Sequence, residues 1–217
     1  MAEDARTLPL FPLNTVLFPG MPLPLHIFED RYKLMIGTCL VTDRTFGVSL
    51  IREGQEVGGG ADPFAIGTLA RIVDVERMPD GRMNLVAVGV RRYRLLDVVE
   101  QQPFLVGRVR TLSDVEEDVE PGLPGAVSEQ FRAYIRDLAE GDDVVARLEL
   151  SNQPEAFSFQ VAATLRIDAG QRQELLELES TNERLRRLRS IIRREHDTFR
   201  LFGRAPSDNN AGPFSLN

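Results

Sequence analysis

The sequence predicts an α+β protein in which a β-rich first half is followed by a helical second half. Three observations carry this expectation. Up to Leu112 the apolar residues come in short runs of Val, Ile, Leu and Phe, punctuated by proline and glycine. Between Ser113 and Glu120 five of eight residues are carboxylates, and Pro121 to Gly125 adds two prolines and two glycines. Beyond Pro124 the apolar residues recur at helical spacing. The expected organisation is a β-rich subdomain over residues 1–112, a solvated acidic Pro/Gly linker over 113–124 and a helical bundle over 125–203. A disordered tail over 204–217 completes it, because Asn209 to Asn217 is small, polar and aperiodic.

In the first half, Thr45 to Ile51, Gly67 to Glu76, Met83 to Val90, Tyr93 to Val99 and Phe104 to Leu112 read as strands. Between two of them, Arg77-Met78-Pro79-Asp80-Gly81 puts proline where a turn wants a fixed φ and glycine where it wants a positive one, which predicts a β-hairpin. Several runs are apolar at nearly every position, as suits strands covered on both faces in a small closed barrel. Tyr32, Met35, Ile36 and Leu40 recur at helical spacing, so a helical turn is expected from Glu29 to Leu40. Glu53 to Pro63 contains Gly58-Gly59-Gly60 and reads as a flexible loop. No Gly-Lys-Ser/Thr follows it, so it lacks the pattern of a phosphate cradle.

In the second half, Val127, Phe131, Tyr134, Ile135 and Leu138 form one helical stripe that Gly141 ends. Pro154 to Ile167 predicts a second helix and Gly170 to Glu179 a third. Ser180, three residues ahead of Glu183, has capping-box spacing and opens the longest helix, Thr181 to Phe202. That helix carries Leu185, Leu188, Ile192, Phe199 and Phe202 on one stripe, broken only by Glu195 and bordered by arginines. Packing in its own bundle, dimerisation and docking on an acidic partner all fit such a stripe.

Composition narrows the function classes. At 217 residues and 42% hydrophobic content the chain can build its own cores. The formal net charge of -7 argues against a general nucleic-acid binder. Cys39 is the sole cysteine, so no intramolecular disulfide or cysteine-based zinc site is possible, and a reducing, cytoplasmic setting is expected. No leader pattern opens the sequence and no apolar stretch approaches 18 residues.

Catalytic constellations are missing from the sequence. There is no Gly-x-Ser-x-Gly and no Walker A motif, and a Ser-Lys dyad could draw only on Lys33. The two histidines, His26 and His196, lie in different halves without metal-ligand spacing. Cys39 falls on the apolar side of a predicted helix, where cysteine is inert filling. The expectation is a non-enzyme with no cofactor and no metal.

A motif string runs through the first half: Leu8-Pro9-Leu10-Phe11-Pro12, Val16-Leu17-Phe18-Pro19-Gly20, Pro22-Leu23-Pro24-Leu25-His26-Ile27-Phe28-Glu29 and Arg31-Tyr32. It continues with Gly67-Thr68, a hairpin, Val88-Gly89-Val90-Arg91-Arg92-Tyr93 and Pro103-Phe104-Leu105. The second half adds Gln173-Glu174-Leu175-Leu176-Glu177, Asn182-Glu183-Arg184-Leu185 and Leu188. In order and spacing, from Leu8 to Asp197, this resembles the N-terminal, substrate-engaging domain of Lon proteases. The resemblance implies a PUA-like pseudo-barrel followed by a helical bundle. It also implies the binding of other proteins, as unfolded or client polypeptides, in proteolysis or quality control. In full Lon proteases an ATPase and a peptidase follow this domain, whereas here the chain is expected to end shortly after the bundle.

The candidate binding residues follow from these readings. The Pro-, Leu- and Phe-rich edge from Phe11 to Phe28 offers Phe11, Leu25, His26 and Phe28 as protein-contacting groups, although core filling accounts for most such residues equally well. His26, in an apolar run, also suits a hydrogen-bonded structural role. Because PUA-like barrels elsewhere contact RNA, Arg91, Arg92 and Arg94, with Tyr93 between them, form the alternative, a basic and aromatic cluster for nucleic acid. A monomer or a homodimer fits either reading.

Overall fold

The computed structural model describes residues 5–56, 60–139 and 149–202. Its elements run β1 (Arg6–Leu13), β2 (Pro22–Ile27), α1 (Asp30–Val41), β3 (Thr45–Glu53), β4 (Asp62–Pro63), β5 (Ile66–Arg77), β6 (Met83–Glu100) and β7 (Leu105–Leu112). The helices α2 (Leu123–Ala139), α3 (Pro154–Thr164), α4 (Ala169–Glu177) and α5 (Thr181–Phe202) follow. The α+β division predicted from periodicity is the one observed. The expected glycine stop at Gly141, Gly58-Gly59 of the loop and the tail from 204 lie outside the described residues.

The strands close on themselves. Their order is β1-β7-β6-β5-β3, and β1 pairs in parallel with β3, from Leu10 opposite Gly47 to Leu13 opposite Leu50. A ring of five strands results, with β2 laid antiparallel along β6 and β4 on the end of β3. Met83 to Glu100, expected as two strands, is one strand of 18 residues. The Arg91-Arg92 pair that looked like a break lies within the strand, one residue after a register irregularity against β5 at Leu69/Ala70.

Inside the ring, Tyr93 packs with Leu8, Leu10, Leu69 and Val109, and its hydroxyl meets Ser49 Oγ at 2.7 Å. Its ring fits because two facing positions lack a side chain. A Cβ on Gly67 would run into Tyr93 and the carbonyl of Val48, and one on Gly47 would come within 2.8 Å of the Tyr93 hydroxyl. The Gly67-Thr68 motif therefore serves packing, and Thr68 Oγ1 also donates to the Leu17 carbonyl at 2.5 Å. A second core lies under α1, where Tyr32, Met35, Ile36 and Cys39 meet Phe46, Ile72, Leu85 and Ala87.

The third core joins barrel and bundle. Val16, Phe18, Leu50 and Ile66 from the strand half pack with Phe131, Phe159, Leu176 and Leu188 from the helices. Burying each such large side chain stabilises the fold by about 1.5–3 kcal/mol. The stripe of α5 is used here, since Leu185, Leu188, Ile191 and Ile192 are buried against the other helices.

The acidic segment is exposed at most positions and is anchored to the bundle by three of its carboxylates. The Asp114 side chain is only 8% exposed and takes Arg92 on one oxygen, at 2.5 Å, and Arg184 on the other. Glu117 accepts from Ser180 Oγ at 2.8 Å and Asn182 N at 2.9 Å, while Glu120 pairs with Arg186. The capping box is thus completed from the linker. Ser180 Oγ accepts from Glu183 N at 3.0 Å, as its spacing predicted. Glu117 attaches to the start of α5 because the helix N-terminus supplies unpaired N–H donors and a positive dipole end.

Candidate protein-binding face

Alternation along β2 sorts its side chains onto two faces. Leu23 and Ile27 point into the core under α1, with Leu25 half-buried beside them. Pro22, Pro24 and His26 point outward. Across the ladder, Pro22 stands opposite Val88, Pro24 opposite Val86 and His26 opposite Asn84. The outward residues of β6 at 84, 86 and 88 are all half-buried, and Val90 beyond them is 37% exposed. The outer face of β2 and β6 is therefore an uncharged strip of proline and valine. Proline is admissible in β2 because its only strand partner is β6 among the described residues, so its other side needs no ladder donors.

One end of the strip is polar and fixed. His26 Nδ1 meets Asn84 Oδ1 at 2.7 Å, and Asn84 Nδ2 donates to Glu76 Oε2 on β5 at 3.2 Å. Phe28, 40% exposed, stacks beside the imidazole with ring centroids 6.2 Å apart. An amide oxygen can only accept, so His26 Nδ1 is the donor in this contact. His26 is thus held by hydrogen bonding at the strip's end.

The other predicted residues separate. Phe11 is buried, its ring 4.0 Å from that of Tyr32, so it fills the core and cannot contact a partner. The Arg31 guanidinium lies 4.3 Å from the Tyr32 ring and is anchored by Glu29 and the Glu56 carbonyl. Burial pushes the Tyr32 hydroxyl up to about 12.

The basic cluster offered for RNA is split by the strand, and Arg94, on the surface, pairs with Glu179 at 3.0 Å. Arg91 is exposed, but Arg92 and Tyr93 are each only 2% exposed. Arg92 donates to the carbonyls of Leu176 and Leu178 at 2.8 and 2.7 Å and to Asp114. Burial pulls its pKa below the usual arginine value, with the Asp114 carboxylate opposing. Its spacing beside Arg91 looked like a patch because a sequence does not say which neighbour of a strand pair points inward after a register irregularity. The strip itself was missed in part: Pro22, Pro24, Val86 and Val88 carry the signal of proline within a period-two pattern, which reads as an exposed edge strand.

Cys39 is 1% exposed, and burial raises its thiol to about 11. Among the described residues no group of three or more His, Cys, Asp or Glu side chains could hold a metal ion, and no helix is long and apolar enough to cross a membrane.

Comparison with known proteins bears on the family and the fold. A Lon protease of Anaeromyxobacter dehalogenans is 27% identical over 206 residues, covering 92% of this chain and 24% of that protein. Lon protease 2 of Myxococcus xanthus is likewise 27% identical, over 93% of this chain and 25% of its own length. The chain spans about a quarter of the length of these relatives. Among solved structures, a Lon N-terminal domain protein from Xanthomonas campestris superposes with a TM-score of 0.67 at 30% identity, covering 85% of this chain and 98% of that one. The N-terminal domain of a Mycobacterium avium complex Lon protease shares the fold, with a TM-score of 0.62 at 21% identity over 87% of this chain and 98% of its own. Residues 7–194 match the family described as the ATP-dependent protease La (LON) substrate-binding domain, and the chain belongs to that family.

Proposed function

We propose that this chain is a non-catalytic protein-binding module that engages unfolded or exposed apolar segments of client polypeptides and serves as an adaptor in proteolysis or quality control. The observation that carries the reading is the outer strip of β2 and β6, where Pro22, Pro24, Val86, Val88 and Phe28 leave apolar surface uncovered on a rigid sheet. Such a strip discriminates little among apolar side chains, which suits a module that meets many sequences. Membership in a substrate-binding family supports the same reading.

The test is titration of fluorescent, reduced and carboxymethylated α-lactalbumin, a permanently unfolded protein, with the parent chain and a Phe28→Ala/Pro24→Ser variant. Affinity falls at least tenfold in the variant if the strip is the contact, with circular dichroism unchanged. Equal affinity of parent and variant would remove the strip from the function.

A further inference from the structure

The ring is closed, yet one of its strands extends past its neighbour. β3 pairs with β5 only from Thr45 opposite Arg71 to Val48 opposite Thr68, and a last bond runs from Ile72 N to the Arg44 carbonyl at 2.9 Å. From there to Arg77, β5 pairs with β6 on one side and, among the described residues, with no strand on the other. The register shift between Ile72 and Asp74 leaves Val73 as the extra residue, 54% exposed.

Beside this open edge lies the C-terminal end of α1. A cleft of about 550 Å³ runs between them, lined by Leu40, Arg44, Val73, Asp74, Val75 and Arg77. Leu40 and Val75 are half-buried and pack on the core under α1, so the floor is apolar. The rim is basic. Among the described residues the guanidinium groups of Arg44 and Arg77 make no hydrogen bond or ion pair, and Asp74 is the one carboxylate in the lining. An edge with free backbone groups beside a helix accepts an extended chain by main-chain hydrogen bonding, and the flanking charges select its composition.

We propose that the edge of β5 from Val73 to Arg77 takes an extended acidic segment of a client polypeptide as an added strand, its apolar residues over Val75 and Leu40 and its carboxylates against Arg44 and Arg77. The inference rests on the polypeptide-binding reading above and names a class of segment for it. A strand in this cleft lies one strand away from the β2 and β6 strip, so one client can occupy both.

The experiment uses the whole chain and a fluorescein-labelled heptapeptide, Glu-Val-Glu-Val-Glu-Leu-Glu, followed by anisotropy and by amide hydrogen exchange. The peptide binds with a salt-sensitive affinity and slows exchange within Val73–Arg77. An Arg44→Gln/Arg77→Glu variant binds at least tenfold more weakly, and so does a peptide N-methylated at alternate amides. Unchanged binding of the methylated peptide or of the variant, or protection confined to other segments, overturns the proposal. So does a dimer in sedimentation that protects Val73–Arg77 without peptide, because the edge is then taken by a second copy. If carboxymethylated α-lactalbumin binding depends on Phe28 and Pro24 while the acidic peptide leaves β5 unprotected, the inference fails and the function proposed above stands.

Discussion

Arg92 on a barrel strand and Arg184 on the last helix bind opposite oxygens of the same carboxylate, Asp114. Both guanidinium groups also lie over the ring of Phe159, at 5.6 and 4.0 Å, and Thr181 Oγ1 donates to Asp114 at 2.5 Å. Three charges are therefore held out of water at the junction of the two halves, and each has further partners: carbonyls for Arg92 and Arg184, and Ser158 Oγ for Arg184 Nε at 2.7 Å. Removing one member of such a set strands the others, which costs about 3–5 kcal/mol. Asp114→Ala is expected to lower the unfolding free energy by about that amount, measured by urea titration. Separate transitions for barrel and bundle would show that the junction is what makes them cooperative.

The glycines around Tyr93 predict a size limit. Gly67→Ala places a methyl against the Tyr93 ring and the Val48 carbonyl, and overpacking of this kind costs about 1–3 kcal/mol. Tyr93→Phe loses only the hydrogen bond to Ser49, roughly 1 kcal/mol. Thermal melts of the two single variants should preserve that order, and a Gly67→Ala protein as stable as its parent would contradict the packing described here.

Acid sensitivity has an identifiable contributor on α2. Asp137 accepts hydrogen bonds from His196 Nε2 at 2.7 Å and from Arg200 Nε at 3.0 Å, and these, His196 first, hold its carboxyl below the ordinary range. A carboxyl whose folded pKa lies below its unfolded value, about 3.9, contributes stability above that unfolded value and loses it as pH falls through the folded one. Asp137→Asn is thus less stable than its parent at pH 7, and the gap closes as pH drops below about 4. Denaturant midpoints at pH 7, 5 and 3 measure it; a gap that widens toward acid would reverse the sign.

Burial and a thiol raised to about 11 make Cys39 unreactive in the folded protein. Iodoacetamide at pH 8 should leave it unmodified in buffer and alkylate it fully in concentrated urea. Prompt labelling of the folded chain would mean that α1 opens readily.

Local chemistry carried much of the fold from the sequence. Pro79 and Gly81 specify the hairpin, where Gly81 has φ 82° and its N–H donates to the Met78 carbonyl at 3.0 Å. Helical spacing located α2 and α5 because each buries one stripe, whereas α3 buries Phe157, Ser158, Phe159, Val161 and Ala162 around more than one face. β1 and β2 were harder to see as strands, since prolines at every second or third position mask their period. The role of Asp114 was illegible for a different reason. Within Ser113 to Glu120 it is one carboxylate among five, and what sets it apart is Arg184, which only folding brings near. At the candidate site, His26 and Phe28 were found from composition, whereas Val86 and Val88 needed the register that places them beside Pro24 and Pro22.

The ring itself carries a consequence for how this chain is made. Arg6 of β1 pairs with Val109 of β7, so the first strand finds its antiparallel neighbour only after the last strand exists. During synthesis on a ribosome the ring stays open until β7 emerges with Val109, and its completion is a late, long-range event of the sort that slows folding. Until then the edges of β1 and β6 that β7 will join are left without a strand partner.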